Sequence, residues 1–271
     1  MRSRRLASLG VLLGLVALPA FAQADGAPSS PPTTAVLSPF APIRLEGANG
    51  ANDSGSSISS TNWAGYAVTG SSFTSVLGSW IVPQFHCDKT PNSGSGVFVG
   101  IDGYNNNGDL KAIGTASNCV GTQTQYYAWY EFSPTRSGKI TSVPVKTGDL
   151  IFAEVSYAGT EFTVMIHDIT QGTFFTKSVV TTGAPRSSAE WIVGKIVAFT
   201  NLMDFGEVSS GFDYTSITDT DWATDSSVSG PISDFGSKKV KITMVTSGVT
   251  EATPTALTTD GSSFTVSWKH E

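Results

Sequence analysis

Over most of its length the chain repeats one pattern: apolar side chains at every second position. Ile151, Ala153, Val155 and Tyr157 form one such set, and Phe162, Val164 and Ile166 alternate with Glu161, Thr163 and Met165 in the next. Val240, Ile242 and Met244 alternate with Lys239, Lys241 and Thr243, and Phe264, Val266 and Trp268 close the series. A period of two places one set of side chains on each face of a strand, so each run predicts a strand with one buried face. Gly138, Gly148, Gly159, Gly172 and Gly183 punctuate the runs about every ten residues, the spacing of antiparallel strands joined by turns. The pattern predicts an all-β sandwich or barrel rather than βαβ units, with no helix beyond a turn or two.

Composition agrees. Of 271 residues 28 are Gly and 13 Pro, and only 14 % are charged. Typical soluble domains carry roughly 25 % charge, so a coiled coil, a long-helix bundle and a charged disordered tail are excluded. The length allows one large sandwich as a single domain. With 16 basic against 22 acidic side chains the formal charge is −6, which repels nucleic acid and anionic membranes.

The first segment reads as an address. Arg2, Arg4 and Arg5 precede an apolar run from Leu6 to Leu18, and Ala20-Phe21-Ala22 or Ala22-Gln23-Ala24 offers a small-x-small cleavage site. Residues 1–24 are therefore expected to be a signal peptide, and the mature protein to be secreted, with no membrane association after cleavage. Residues 25–60, rich in Pro, Ser, Ala and Gly, read as a propeptide or a flexible linker, and 61–271 as the folded domain. In an oxidising compartment Cys87 and Cys119, the only two cysteines, are expected to form a disulfide. A monomer is expected, since no apolar stretch demands a partner.

Common hydrolase and metal signatures are missing. The chain has no Gly-x-Ser-x-Gly elbow and no His-Glu-x-x-His helix. His86, His167 and His270 read as surface histidines, not members of a triad. Asp53-Ser54-Gly55 lies in the linker without the apolar strand that an aspartic-protease loop needs. Asp219, Asp221 and Asp225, near Asp213, lack the Gly and Glu of a calcium loop and read as a solvated acidic turn. No metal and no cofactor are expected.

Five segments carry a family likeness. Asn62-Trp63-Ala64-Gly65-Tyr66 is followed by Val76-Leu77-Gly78-Ser79-Trp80-Ile81-Val82-Pro83, then by Val97-Phe98-Val99-Gly100-Ile101-Asp102-Gly103. Tyr127-Ala128-Trp129-Tyr130-Glu131-Phe132 and Ser188-Ala189-Glu190-Trp191-Ile192 complete the set. In this order and spacing the chain resembles the glutamic peptidases (eqolisins), secreted endopeptidases that act in acid, from about Thr61 to the C-terminus. The resemblance implies a concanavalin-like sandwich of two large antiparallel sheets and a protein or peptide substrate. It implies that Glu190 is the catalytic glutamate, a base toward water and then an acid toward the leaving amine. Trp63 and Asp102 match groove residues beside it.

Two positions depart from the family pattern. In Leu110-Lys111-Ala112-Ile113-Gly114, Ala112 stands where the family has its catalytic glutamine, and Phe98 stands where it has a tryptophan. A methyl group cannot donate to an oxyanion, and losing one such donor costs about 10²–10³ in rate. Three readings follow: a weakened peptidase using backbone N–H groups or water, a non-catalytic relative, or rescue by Gln123 or Gln125. The contrasting class is a peptide- or glycan-binding module, with Trp63, Trp80, Trp129, Trp191, Tyr66 and Tyr127 as candidate aromatics.

Overall fold

The computed structural model describes residues 56–104, 109–196, 198–199 and 201–270. The signal-peptide reading of 1–24 and most of the stretch 25–60 fall outside the described residues. Among those described, no helix is long and apolar enough to cross a membrane.

The alternating runs become strands. In chain order they are β1 (Ser56–Ser60), β2 (Trp63–Thr69), β3 (Ser75–Ile81), β4 (Gly94–Ile101), β5 (Lys111–Val120) and β6 (Gln123–Phe132). Next come β7 (Arg136–Ile140), β8 (Leu150–Ala158), β9 (Glu161–Asp168), β10 (Thr173–Val180), β11 (Ser188–Lys195) and β12 (Glu207–Ser210). The last are β13 (Trp222–Thr224), β14 (Ser229–Pro231), β15 (Lys239–Thr246), β16 (Val249–Pro254) and β17 (Phe264–Trp268). Among the described residues helical structure is confined to α1 (Phe212–Thr215) and a 3₁₀ run at Ile232–Lys238.

Pairing builds two layers of an all-β sandwich. One runs β1-β15-β2-β11-β4-β5-β6-β7. The other runs β10-β9-β8-β3, with β12 and β13 sharing the far edge of β3. The antiparallel path β15-β16-β17-β12 carries the chain from one layer to the other. An ion pair between Lys195 of β11 and Glu251 of β16 (2.8 Å) pins that corner.

One pairing corrects the sequence reading. Ser56–Ser60, assigned there to the linker, forms β1 and pairs in parallel with β15, from Ser56 opposite Val240 to Ser60 opposite Met244. Ser-rich composition hides this strand, because the partner's backbone supplies its hydrogen bonds and Ile58 alone adds an apolar anchor.

The first layer is apolar on both faces. Ala64, Tyr66, Val68, Val97, Val99, Ile113, Trp191 and Val193 face the second layer, where Val76, Val155, Val164 and Ile166 meet them. The alternate positions build a separate cluster on the opposite face: Trp63, Ala67, Phe98, Ala112, Ala116, Trp129 and Ile192. A sheet covered on both faces shows no alternation of exposure, which is why β4, β5 and β11 are buried at nearly every position. The second cluster is where the candidate site lies.

Cys87 and Cys119 are bonded, with Cα atoms 5.4 Å apart. The bridge ties the loop after β3 to the end of β5.

Candidate active site

Register decides which residues share the outer face of the first layer. Glu190 of β11 lies opposite Ala67 on one side and Gly100 of β4 on the other. Gly100 in turn lies opposite Ala112 of β5, and Ala112 opposite Glu131 of β6. Directly paired residues point the same way, so Glu190, Ala112 and Glu131 form one row on one face. The next row holds Ile192, Phe98 and Trp129. Four of the expected groove residues, Glu190, Trp63, Phe98 and Ala112, thus share a face.

The aromatic side chains interlock there. Trp63 meets Phe98 edge to face at a centroid distance of 5.4 Å, and Phe98 meets Trp129 likewise at 5.6 Å. Phe98 occupies the middle of this stack and offers no N–H.

Glu190 is fully buried, not displayed on an open groove. Tyr104 and Leu110, from the connection between β4 and β5, join the cluster on this face. An ideal Cβ at position 100 would lie 2.8 Å from Leu110 Cδ1 and 3.3 Å from Glu190 Oε2. Gly100 is therefore the gap that lets the carboxyl and Leu110 meet.

The carboxyl has two unlike oxygens. Ser188, two residues earlier and on the same face, donates its hydroxyl to Oε1. The Tyr104 backbone N–H lies near enough to favour the charged form of the carboxylate. Oε2 is buried with no hydrogen-bond partner among the described residues. Burial pushes the Glu190 pKa well above the ordinary carboxylate range, the Ser188 hydrogen bond opposes this, and the Asp102 charge adds to it. A carboxyl so placed holds its proton and aims one bare oxygen into the cluster.

Asp102 takes a different place from the other four. It caps the end of β4 in the left-handed region (φ 65°), and its carboxylate accepts the backbone N–H groups of Arg186 (2.9 Å) and Ser187 (2.8 Å). It thereby holds the chain entering β11, two residues before the Ser188–Glu190 pair. Burial raises its pKa, and these backbone bonds oppose the rise.

Trp63 brings an indole to the same face. Its Cη2 lies 3.2 Å from an ideal Cβ at Gly103, and its buried Nε1 has no hydrogen-bond partner among the described residues.

The structure overturns two sequence readings. Gln123 and Gln125 are exposed at the far end of β6, where Gln125 lies opposite Asn118. Six residues separate Gln125 from Glu131, about 20 Å along a strand, so neither amide replaces the missing one. The acidic segment is a solvated turn only in part, since Asp213 and Asp219 are exposed but Asp221 and Asp225 are buried. Asp221 is fully buried beneath Ser79 N–H (3.3 Å) and the Ser210 hydroxyl (3.1 Å), while Asp225 accepts from Ser227 and Val228 N–H. Among the described residues no three His, Cys, Asp or Glu side chains gather as a metal cage.

Ser188, Gly100 and Tyr104 were not singled out from sequence. Ser188 left a signal, since a residue two before Glu190 in a strand must share its face. Tyr104 left none, because a loop has no period.

A two-layer β-sandwich with the fully buried Glu190 among aromatics on an outer sheet face defines a glutamic-peptidase type of fold. The sequence profile of the Peptidase A4 family matches residues 61–268, and the chain belongs to that family. Aspergillopepsin-2 from Aspergillus niger is 25 % identical over 173 residues, covering 56 % of this chain and about three fifths (61 %) of that protein's length. Scytalido-glutamic peptidase, crystallised with a transition state analog inhibitor, matches with a TM-score of 0.62 at 19 % identity, over 77 % of this chain and 98 % of that one. Aspergilloglutamic peptidase from Aspergillus niger matches with a TM-score of 0.51 at 23 % identity, over 65 % and 99 %. These structural likenesses establish the shared sandwich.

Proposed function

We propose that the protein is an exported endopeptidase that hydrolyses peptide bonds on the acid side of neutrality, with Glu190 as its proton-transfer group. The observation that carries this reading is the bare Oε2 of a fully buried carboxyl whose other oxygen is anchored by Ser188. In its ionised form Glu190 takes a proton from a water that attacks the scissile carbonyl. It then returns that proton to the leaving nitrogen as the C–N bond breaks. Its raised pKa suits the second role, because a carboxyl that holds its proton tightly is available as an acid at higher pH. Trp63 and Phe98 wall the site, and Asp102 positions β11. A protein or peptide chain is the substrate, and no metal or cofactor enters the reaction.

The experiment is turnover of an unfolded protein by the secreted chain across pH 3 to 7, with Glu190→Gln alongside. Cleavage lost in Glu190→Gln supports the reading; cleavage retained refutes it.

A second reading is favoured by one observation. Ala112 sits fully buried two strands from Glu190, where the family resemblance calls for an amide donor. On that reading the protein is a non-catalytic peptide- or glycan-binding sandwich. Saturable peptide or glycan binding without cleavage at any pH would establish it.

A further inference from the structure

We infer that Glu131 is the second carboxyl of this site and supplies the donor that Ala112 lacks, so that the reaction runs on a carboxyl pair; the inference rests on the peptidase reading of Glu190. Register carries it. Glu131 of β6 is paired directly with Ala112, in the row that runs Glu190, Gly100, Ala112, Glu131. A glutamate thus stands at each end of the row, and the two positions between bear only a hydrogen atom and a methyl group.

Both carboxyls are held in the same way. Ser188 donates its hydroxyl to Glu190 Oε1, and Ser133 donates its hydroxyl to Glu131 Oε1. The strand ladders continue one step past the row, where Asp102 N–H donates to the Ser188 carbonyl (3.1 Å) and Ser133 N–H to the Leu110 carbonyl (2.9 Å). The two serines therefore lie on the same side of the row and anchor the two carboxyls toward that side. Glu190 is fully buried and Glu131 is only 2 % exposed. Burying one carboxyl costs free energy, and this face buries two.

Glu190 leans toward its counterpart. Its Oε2 lies 3.3 Å from an ideal Cβ at Gly100, so the bare oxygen reaches toward β4, in the direction of Ala112. From β4 to β6 is two strand spacings, about 10 Å. With Glu131 extended across the Ala112 methyl, the remaining gap takes a water and a peptide carbonyl. A glutamine at position 112 would stand in that gap itself; the methyl does not.

The pair works with one proton, carried by Glu131 when the reaction starts. Glu190 takes a proton from water as the water oxygen bonds to the carbonyl carbon. The carbonyl π pair moves onto oxygen, which takes the Glu131 proton, leaving a neutral tetrahedral diol. On collapse the C–N bond breaks and nitrogen takes the proton from Glu190. One diol hydroxyl returns its proton to Glu131 as the carbonyl re-forms. An acid and an amine leave, and both side chains end as they began. The donor acts on charge that develops only in the transition state, so it affects kcat and not KM.

One shared proton gives the rate two limits, since activity falls where both carboxyls are protonated and again where both are ionised. Lys111 of β5 is the cation whose charge interacts with Glu131, and the β7 residue opposite Glu131 is the uncharged Ser137.

The test compares wild type, Glu190→Gln, Glu131→Leu and Glu131→Gln on an internally quenched peptide across the pH range. Glu131→Leu removes the donor and is expected to lower kcat about 10²–10³-fold with little change in KM. Glu131→Gln keeps a donor that does not ionise, so kcat should stay within about tenfold of wild type. Its alkaline limb should move to higher pH or vanish, which a packing role or the Ser133 anchor alone would not produce. An alkaline limb unmoved in Glu131→Gln overturns the inference, as does Glu190-dependent cleavage that survives Glu131→Leu within about threefold. Either result leaves the peptidase reading standing. No cleavage that depends on Glu190 in wild type overturns both. Should Glu131→Leu not fold, the pH profile of the nearly isosteric Glu131→Gln decides alone.

Discussion

Ala112 stands two strands from Glu190 in the same cross-strand row, and Gly100, which lacks a side chain, is all that lies between them. A carboxyl, a hydrogen atom and a methyl group thus occupy three successive positions on one sheet face. The row leaves room beside Glu190 that neighbouring loop residues fill, and Leu110 is the nearest of them.

Gly100→Ala tests how tightly that space is held. The new Cβ would meet Leu110 Cδ1 at 2.8 Å and Glu190 Oε2 at 3.3 Å. Leu110 can yield because its methyl is the end of a flexible side chain, so unfolding in urea should show a loss of only about 1 kcal/mol. The carboxyl has less freedom, and a shift of a few tenths of an ångström at a reacting group should lower kcat at least about tenfold. An unchanged kcat would show that Glu190 Oε2 is not the reacting atom.

The pH profile reports the Glu190 environment. Burial raises the pKa, so the ionised base accumulates only above the ordinary Glu range near 4.3. The acid limb of kcat/KM should therefore lie higher than an exposed glutamate would place it. Ser188 opposes that rise by bonding the charged form, so Ser188→Ala should move the limb to still higher pH. A limb that moves down, or not at all, would detach it from Glu190.

Thermal stability should fall as pH rises. Asp221 and Glu190 are both fully buried, and burial holds both pKa values well above their ordinary range. A group raised on folding binds its proton more tightly in the folded state. Its contribution is fully present below the unfolded pKa and is lost as pH rises through the folded one. Tm should be highest in acid and decline toward neutrality. Asp221→Asn keeps an oxygen for the Ser79 N–H and removes the charge, so its Tm should vary less with pH. A parallel decline in the variant would assign the effect elsewhere.

Removing the Cys87–Cys119 bridge should destabilise without dismantling the site. It closes a loop of 32 residues' separation, worth about 3–4 kcal/mol on the chain-entropy estimate. Denaturant unfolding of the Cys87→Ser/Cys119→Ser variant measures this. A loss below about 1 kcal/mol would mean that the unfolded chain keeps the loop closed without it.

Much of this was legible in the residues themselves. Period-two runs such as Phe162–Ile166 and Val240–Met244 dictate strands, because only a pleated backbone segregates alternate side chains. Five quoted segments sufficed for the family, and two cysteines admit one pairing. Alternation also places Ser188 and Glu190 on one face, a local fact that needs no fold.

What the sequence could not determine is what lies across from what. The row Glu190–Gly100–Ala112–Glu131 draws on four strands, and its register depends on turns and packing far from any one of them. The same non-local pairing recruits Ser56–Ser60 as β1, sends Gln125 to the far end of β6, and buries Asp221 under β3. Tyr104 follows two left-handed residues after β4, and it and Leu110 join the cluster around Glu190 only in the assembled fold. Periodicity determines which way a side chain points; only the assembled sheet decides what it meets there, and so whether a carboxyl is a solvated charge or a buried acid.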